Sequence, residues 1–279
     1  MIVDFHVHPP THQFVTCLGE LFEPTVKYFR SNFKILDYKS FAEDLKNEGV
    51  TKAVLLPLVS NLNKGGRIEN EHIKEICNTD PDLFYGFASF DLNKDYISEL
   101  NYAIKKLGLK GIKIHPQLQC IRPDDPKLRP VYEFADKYEL PIVLHTGITG
   151  IGANVKGGGG LKLDYGRPIY VDNIASEFPN ATFILAHFGW PWYEEALAVS
   201  YHKANVYIDI SGWSPKYIPA IVIKYMDSLL QDRVLFGSDY PMIKPSRIIN
   251  ELKQLNLKDQ TIRKVLFENA SKILNKLKF

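Results

Sequence analysis

Short runs of β-branched and aromatic residues, nearly free of polar alternation, recur at 2–8, 53–59, 83–90, 111–115, 141–146, 181–187, 206–211 and 234–238. Strands of that kind are buried on both faces, as in parallel sheets covered by helices. After the first, they start roughly 25–40 residues apart, the scale of one βα unit. Between them, helical periodicity is clearest at 41–47, 97–107, 130–138 and 219–230. Eight such units predict an α/β chain closed into a (β/α)8 TIM barrel. No GxGxxG turn favours the open doubly wound alternative.

A chain of 279 residues, 45% of them hydrophobic, suffices for one such barrel and its core. Two insertions break the rhythm, 9–37 after the first strand and 147–168 after the fifth. In a barrel both lie on the C-terminal face, where such enzymes carry out their chemistry. Segment 259–279 is predicted to be an extra C-terminal helix, with Ile262, Val265, Leu266, Ile273 and Leu277 as its apolar stripe. No Pro- or Ser-rich linker divides the chain, so 1–279 is expected to form a single domain.

The formal net charge is only +2, and Lys46, Lys74, Lys105 and Lys137 are scattered through helical segments rather than gathered in a stripe. That argues against nucleic acid as a partner. No run has the length of a membrane span, and Met1 leads into Ile2-Val3-Asp4-Phe5 without the pattern of a signal peptide. Cys17, Cys77 and Cys120 are odd in number and lack CxxC spacing, which fits a reducing compartment. The expectation is a cytoplasmic protein acting on a small molecule; a homo-oligomer stays open.

The first strand ends in His6-Val7-His8, and alternation puts both imidazoles on one face. Such a pair is weak evidence alone. Three other predicted strands also end in possible ligands: His145 on the fifth, His187 on the sixth and Asp239 just past the eighth. In a closed barrel these ends converge. Four imidazoles and a carboxylate suit zinc, with manganese, iron or cobalt as alternatives. Three or four ligands leave a position open for water or substrate.

Together with Gly111-Ile112-Lys113-Ile114-His115-Pro116, 141–147, 185–189, 235–241 and Glu268-Asn269-Ala270-Ser271-Lys272-Ile273-Leu274, the stretch Val3-Asp4-Phe5-His6-Val7-His8 resembles the amidohydrolase superfamily. The closer likeness is to its amidohydrolase-related branch, which holds aromatic and aminocarboxymuconate-semialdehyde decarboxylases and lactone hydrolases. The resemblance implies His6, His8 and His145 as metal ligands, and Asp239 as both ligand and proton acceptor. It implies His187 as a general acid/base or as the residue that orients substrate. Two-metal members of the superfamily carry a carboxylated lysine at the end of the fourth strand. Lys113 stands near that place, so it is a candidate metal-bridging carbamate, a candidate anchor for a substrate carboxylate, or a residue snorkelling from the rim.

The remaining polar and aromatic residues have plainer expectations. His115 divides evenly between shaping its loop and touching substrate. His12, His72 and His202 are expected to face solvent. Gly157-Gly158-Gly159-Gly160 lacks the GxxxxGK[ST] pattern of a phosphate loop and reads as a lid or a mobile loop. Trp190, Trp192 and Trp213 read as pocket lining or core. Lys162 and Arg167 read as anchors for an acid or as ordinary surface cations.

The first expectation for function is hydrolysis of an amide, lactone or ester through metal-activated water, with Asp239 as base. The alternative is non-oxidative decarboxylation of an aromatic or unsaturated acid. A barrel that only binds a ligand or metal comes last, because its principal ligand set is intact.

Overall fold

The computed structural model describes residues 1–62 and 66–277. Eight parallel strands follow one another in chain order: β1 (Val3–Val7), β2 (Lys52–Leu55), β3 (Phe84–Gly86), β4 (Ile112–Ile114), β5 (Pro141–Leu144), β6 (Thr182–Leu185), β7 (Val206–Asp209) and β8 (Val234–Leu235). β1 to β3 form one hydrogen-bonded ladder and β4 to β8 another. The Ala88–Ile112 bridge joins β3 to β4. The chain beyond β8 meets β1 through Asp239 N–H on His6 O (2.9 Å) and His8 N–H on Tyr240 O (2.7 Å), next to the Val7–Tyr240 bridge. The fold is thus the (β/α)8 barrel that the periodicity predicts.

Alternate strand residues sort into two apolar layers. Val54, Leu56, Phe87, Val143, Ile184 and Leu235 form the inner cluster, while Leu55, Ile112, Ile114, Ile142, Phe183 and Ile208 belong to the outer one beneath the helices. Lys113, set between Ile112 and Ile114, therefore points inward. β1 changes phase along its length: Val3 and Phe5 join the inner cluster, whereas Val7 joins the outer one. The cause is an irregularity between Asp4 and Val7, where three residues of β1 advance against two of β2. Such a bulge re-aims the side chains that follow it. It leaves His6 and His8 together at the inner, C-terminal end of the strand.

Every strand stops short of its predicted C-terminal limit. After β6 the reason is local: His187 (φ 59°) and Phe188 (41°) take left-handed conformations that a ladder cannot continue through. The predicted helix 219–230 is helical only over Ala220–Met226. By contrast, Tyr38–Asn47 starts earlier than predicted, because the Asp37 carboxylate accepts from Ser40 N–H and caps it. The C-terminal segment is helical from Asp259 to Leu274 through a π-helical turn at Lys264–Glu268, and positions 278 and 279 of the prediction lie outside the described residues. Its Ala270, Ile273 and Leu274 join the inner cluster with Val3 and Leu235.

The two insertions fold over the opposite end. The first contains helices His12–Leu18 and Phe22–Phe29, and it packs Phe14 against His8 with ring centroids 5.8 Å apart. The second brings Gly150 under Phe29 and Gly159 under Leu21. His12 and His202 are exposed as expected. His72 is not: it is buried in helix Asn70–Thr79, because the first insertion turns back onto it. The Thr11 hydroxyl donates to its Nε2 (3.0 Å) and its Nδ1 donates to the Tyr38 hydroxyl (3.1 Å).

Gly147, just past β5, fixes where the second insertion leaves the barrel. Its φ is +77°, and an added Cβ would lie 2.3 Å from Trp190 O. Gly108 also has a positive φ (+72°) but open space around it. Gly147→Ala should therefore cost about 3 kcal/mol or more and lower the melting midpoint by roughly 6–12 °C. Gly108→Ala should cost only about 1 kcal/mol. Thermal unfolding of both variants checks this; equal small losses would mean the backbone at Gly147 is not confined by Trp190.

Candidate metal centre

Four strand ends bring the predicted histidines and Asp239 together. His6 Nδ1 donates to Asp209 Oδ2 at 2.9 Å, and His8 Nδ1 donates to Leu56 O at 2.7 Å. A neutral imidazole carries one proton, so both rings turn an Nε2 lone pair inward. Both nitrogens lie near one atom, Asp239 Oδ1, 3.7 Å from His6 Nε2 and 3.5 Å from His8 Nε2. The three donor atoms lie within 4.8 Å of one another and all three residues are buried. Two anchored imidazoles and a carboxylate gathered around a common point can hold a divalent ion.

His6, His187 and Asp209 also lie close enough to surround a cation. Their facing atoms, however, are already joined by protons: His6 Nδ1 donates to Asp209, Asp209 Oδ1 accepts from the Ser211 hydroxyl, and His187 Nδ1 donates to Ser211 O at 3.0 Å. That group is scaffold. Asp209 Oδ1 further accepts from the backbone N–H of His187 (3.1 Å) and of Ser211 (2.9 Å). Burial opposes its ionisation, but the charge and hydrogen bond of His6 and the bond from Ser211 outweigh it and hold the carboxyl well below the usual range.

His145 does not join the trio's facing atoms. Its ring meets His187 instead, Nδ1 to Nε2 at 3.1 Å, while its Nε2 faces Ile148 O at 3.1 Å. With its proton on Nε2 for Ile148, and the His187 proton on Nδ1 for Ser211, two lone pairs face each other. A proton or metal cation relieves that contact. The rings of His8, His6, His187, His145 and His115 form a chain with successive centroids 5.2, 4.8, 4.5 and 3.9 Å apart.

Burial sets the protonation of the cluster. It pushes His6 down to about 4, helped by the positive charge of Lys113 and against the pull of Asp209. It takes His8 and His145 well below the ordinary value as well, aided by His6 at the first and His115 at the second. Neutral rings are what a metal requires. Lys113, a residue only 1% exposed, donates from Nζ to His6 Nε2 at 3.2 Å. Burial lowers it to about 8, while Asp209 and Asp239 hold it up.

Asp239 and His187 are kept in left-handed conformations by tight surroundings. A Cβ on Gly212 would lie 2.9 Å from His187 Nδ1 and 3.2 Å from Asp239 Oδ2, so only glycine leaves room between the two. Asp4 holds the floor: its Oδ1 accepts from the backbone N–H of His6 (3.2 Å) and Ser238 (2.9 Å), and burial pushes its carboxyl up to about 7. Sequence reading missed Asp209 and Ser211. The available signal was an aspartate and a serine, two residues apart, at the end of an otherwise apolar strand.

The outlying candidates divide. Trp190 and Trp213 are in contact, 5.1 Å between centroids, and Trp213 reaches Phe188 beside His187 (5.7 Å). Arg167 is paired with Glu195 and lies over Trp192, and Lys162 is exposed, so neither reaches the centre. A groove of about 770 Å³ runs from Phe29 and Phe33 to Tyr240, the neighbour of Asp239. Cys17, Cys77 and Cys120 are free thiols, and no helix among the described residues is long and apolar enough to cross a membrane.

Known proteins agree with this architecture. Over 78 residues the chain is 32% identical to the 2-amino-3-carboxymuconate-6-semialdehyde decarboxylase of Dictyostelium discoideum, a stretch covering 27% of this chain and 22% of that protein. An uncharacterised TIM-barrel protein from Bordetella bronchiseptica superposes with a TM-score of 0.81 at 23% identity, covering 99% of this chain and 98% of the other. A dihydroxybenzoic acid decarboxylase from a Polaromonas species, solved with bound manganese and the inhibitor 2-nitroresorcinol, superposes with a TM-score of 0.73 at 15% identity, over 98% and 96% of the two chains. The sequence model of the amidohydrolase family matches residues 3–276, and the chain with this buried His and Asp cluster belongs to that family of enzymes.

Proposed function

We propose that the protein, acting as one barrel domain over 1–279, is a non-oxidative decarboxylase of an aromatic or unsaturated carboxylic acid. The observation that carries this reading is Lys113, a buried cation at the centre of the ligand cluster. Such a group suits an anionic substrate better than a neutral amide or lactone. The partial likeness to a carboxymuconate-semialdehyde decarboxylase supports the same choice and reverses the order of the two enzyme readings drawn from sequence.

His6, His8 and Asp239 would hold the ion, joined by His145 through Nδ1. Zinc fits this donor set first, with manganese, iron or cobalt as alternatives. When bound, the ion supplies positive charge that draws and polarises substrate oxygens. His6 Nε2 has one lone pair; once it is given to an ion, the Lys113 ammonium is free for the substrate carboxylate. His187, with Nδ1 held by Ser211, presents Nε2 to carry a proton to carbon. That proton adds to the carbon bearing the carboxylate at the expense of a π pair; the carbon–carbon bond then breaks, its electron pair restores the π bond, and the carboxylate leaves as CO2. Burial of the cluster keeps water from the charged intermediate.

Hydrolysis is the second reading, and Asp239 favours it. Only its Oδ1 faces the imidazole lone pairs, while Oδ2 sits beside Gly212 and is free to take a proton from water.

Metal analysis of protein purified without chelators should find about one divalent ion per chain, lost in His6→Ala/His8→Ala and kept in Lys113→Ala. Two ions falling to one or none in Lys113→Ala would instead mean a carboxylated lysine and put hydrolysis first. With aromatic and unsaturated acids as substrates, CO2 should be released without uptake of labelled oxygen from water. Asp239→Asn should lower turnover at least about a hundredfold; an unimpaired variant would remove Asp239 from the chemistry.

A further inference from the structure

One hydrogen-bonding atom beside the centre is buried and unused. His115 follows β4, is 3% exposed, and has no protein partner for its Nε2. Everything else about the residue is fixed. Its backbone N–H donates to Gln119 Oε1 (2.9 Å), and Gln119 Nε2 is itself anchored on Phe90 O (2.9 Å). Its Nδ1 accepts from Leu118 N–H (3.4 Å) and caps the turn Pro116–Gln119. The ring lies flat on His145, 13° from parallel.

A neutral ring whose Nδ1 accepts carries its proton on Nε2. That makes Nε2 a donor rather than a metal ligand, held in a set direction with nothing to receive its proton. Buried donors are almost always paired, so one left open beside a reactive centre points to a ligand. The acceptor it would meet is anionic. Lys113 points into the barrel from β4, and His115, just past that strand, lies on the ring of His145 close enough to feel the Lys113 charge, so an ammonium and an N–H stand beside the same centre.

We propose that His115 Nε2–H binds one carboxylate oxygen of a planar aromatic or unsaturated acid, with Lys113 serving the other, and so selects acids over their uncharged analogues. This rests on the carboxylic-acid reading for the class of ligand, and it is tested by binding rather than turnover. Benzoate, sorbate and the corresponding amides are titrated calorimetrically into metal-loaded protein. Wild type should prefer at least one acid over its amide.

His115→Asn keeps a side-chain acceptor for Leu118 N–H but cannot reach the distal position. It should bind the acid at least about tenfold more weakly, with amide affinity and metal content unchanged. His115→Gln, whose amide nitrogen reaches the distal position, should keep most of the acid affinity. Undiminished acid binding in His115→Asn, equal loss of acid and amide, or a wild type that takes neither acid would each overturn the inference. Acid binding through His115 without CO2 release would leave it standing and defeat the decarboxylase reading. CO2 release with binding indifferent to His115→Asn would do the reverse.

Discussion

The carboxylate of Asp209 is the interaction on which the rest of the centre depends. It is wholly buried, and removing a charge of that kind from water costs several kcal/mol. Four hydrogen bonds offset this cost, from His6 Nδ1, the Ser211 hydroxyl and the backbone N–H groups of His187 and Ser211. Bonds to a charged group are worth ~1.5–3 kcal/mol each, so the burial is sustainable only while all of them are made. These bonds reach from β7 to β1 and to the turn after β6. One side chain thereby sets the tautomer of His6, the position of His187 and the spacing of three strand ends.

The barrel supplies the rigidity for this arrangement. The bulge in β1 shifts the inward-pointing phase so that His6 follows Phe5 into the lumen. Asp239 and His187 sit in left-handed conformations that disfavour any side chain, at a cost on the order of 1–3 kcal/mol each. The surrounding contacts leave them no alternative. Asp239 N–H is bonded to His6 O, and Gly212 lets the two side chains approach without a Cβ between them. Strain of this sort gathers at functional sites, where side-chain direction matters more than local backbone energy.

Much of this was legible in the sequence because it depends on period and position. Buried parallel strands read as apolar runs, and a His or Asp ending four of them points to the mouth of a barrel. What escaped depends on tertiary neighbours. Asp209 and Ser211 are ordinary residues until His6 and His187, some 200 and some 20 residues away, are seen to face them. His72 reads as a surface histidine because nothing local announces that the 9–37 insertion folds back over its helix. The C-terminal limit of β6 was overrun because a left-handed turn at a histidine leaves no mark in a hydrophobic pattern.

Under the proposed function, charge suits the centre to a cation and an acid together. Burial strips His6 and His8 of their protons, leaving neutral donors around Asp239. Asp209 spends its charge on its own hydrogen bonds, and Asp239 alone offers a carboxylate to the common point. A divalent ion there, with Lys113 as ammonium, would leave the pocket positive overall beside the carboxylates of Asp209 and Asp239, since burial favours the neutral form of Asp4. A neutral amide or lactone gains little from that surplus, whereas a carboxylate cancels it inside a low-dielectric enclosure where charge is felt most strongly. A neutral product and CO2 would restore the surplus, so the same electrostatics that retain the acid favour exchange of product for the next acid.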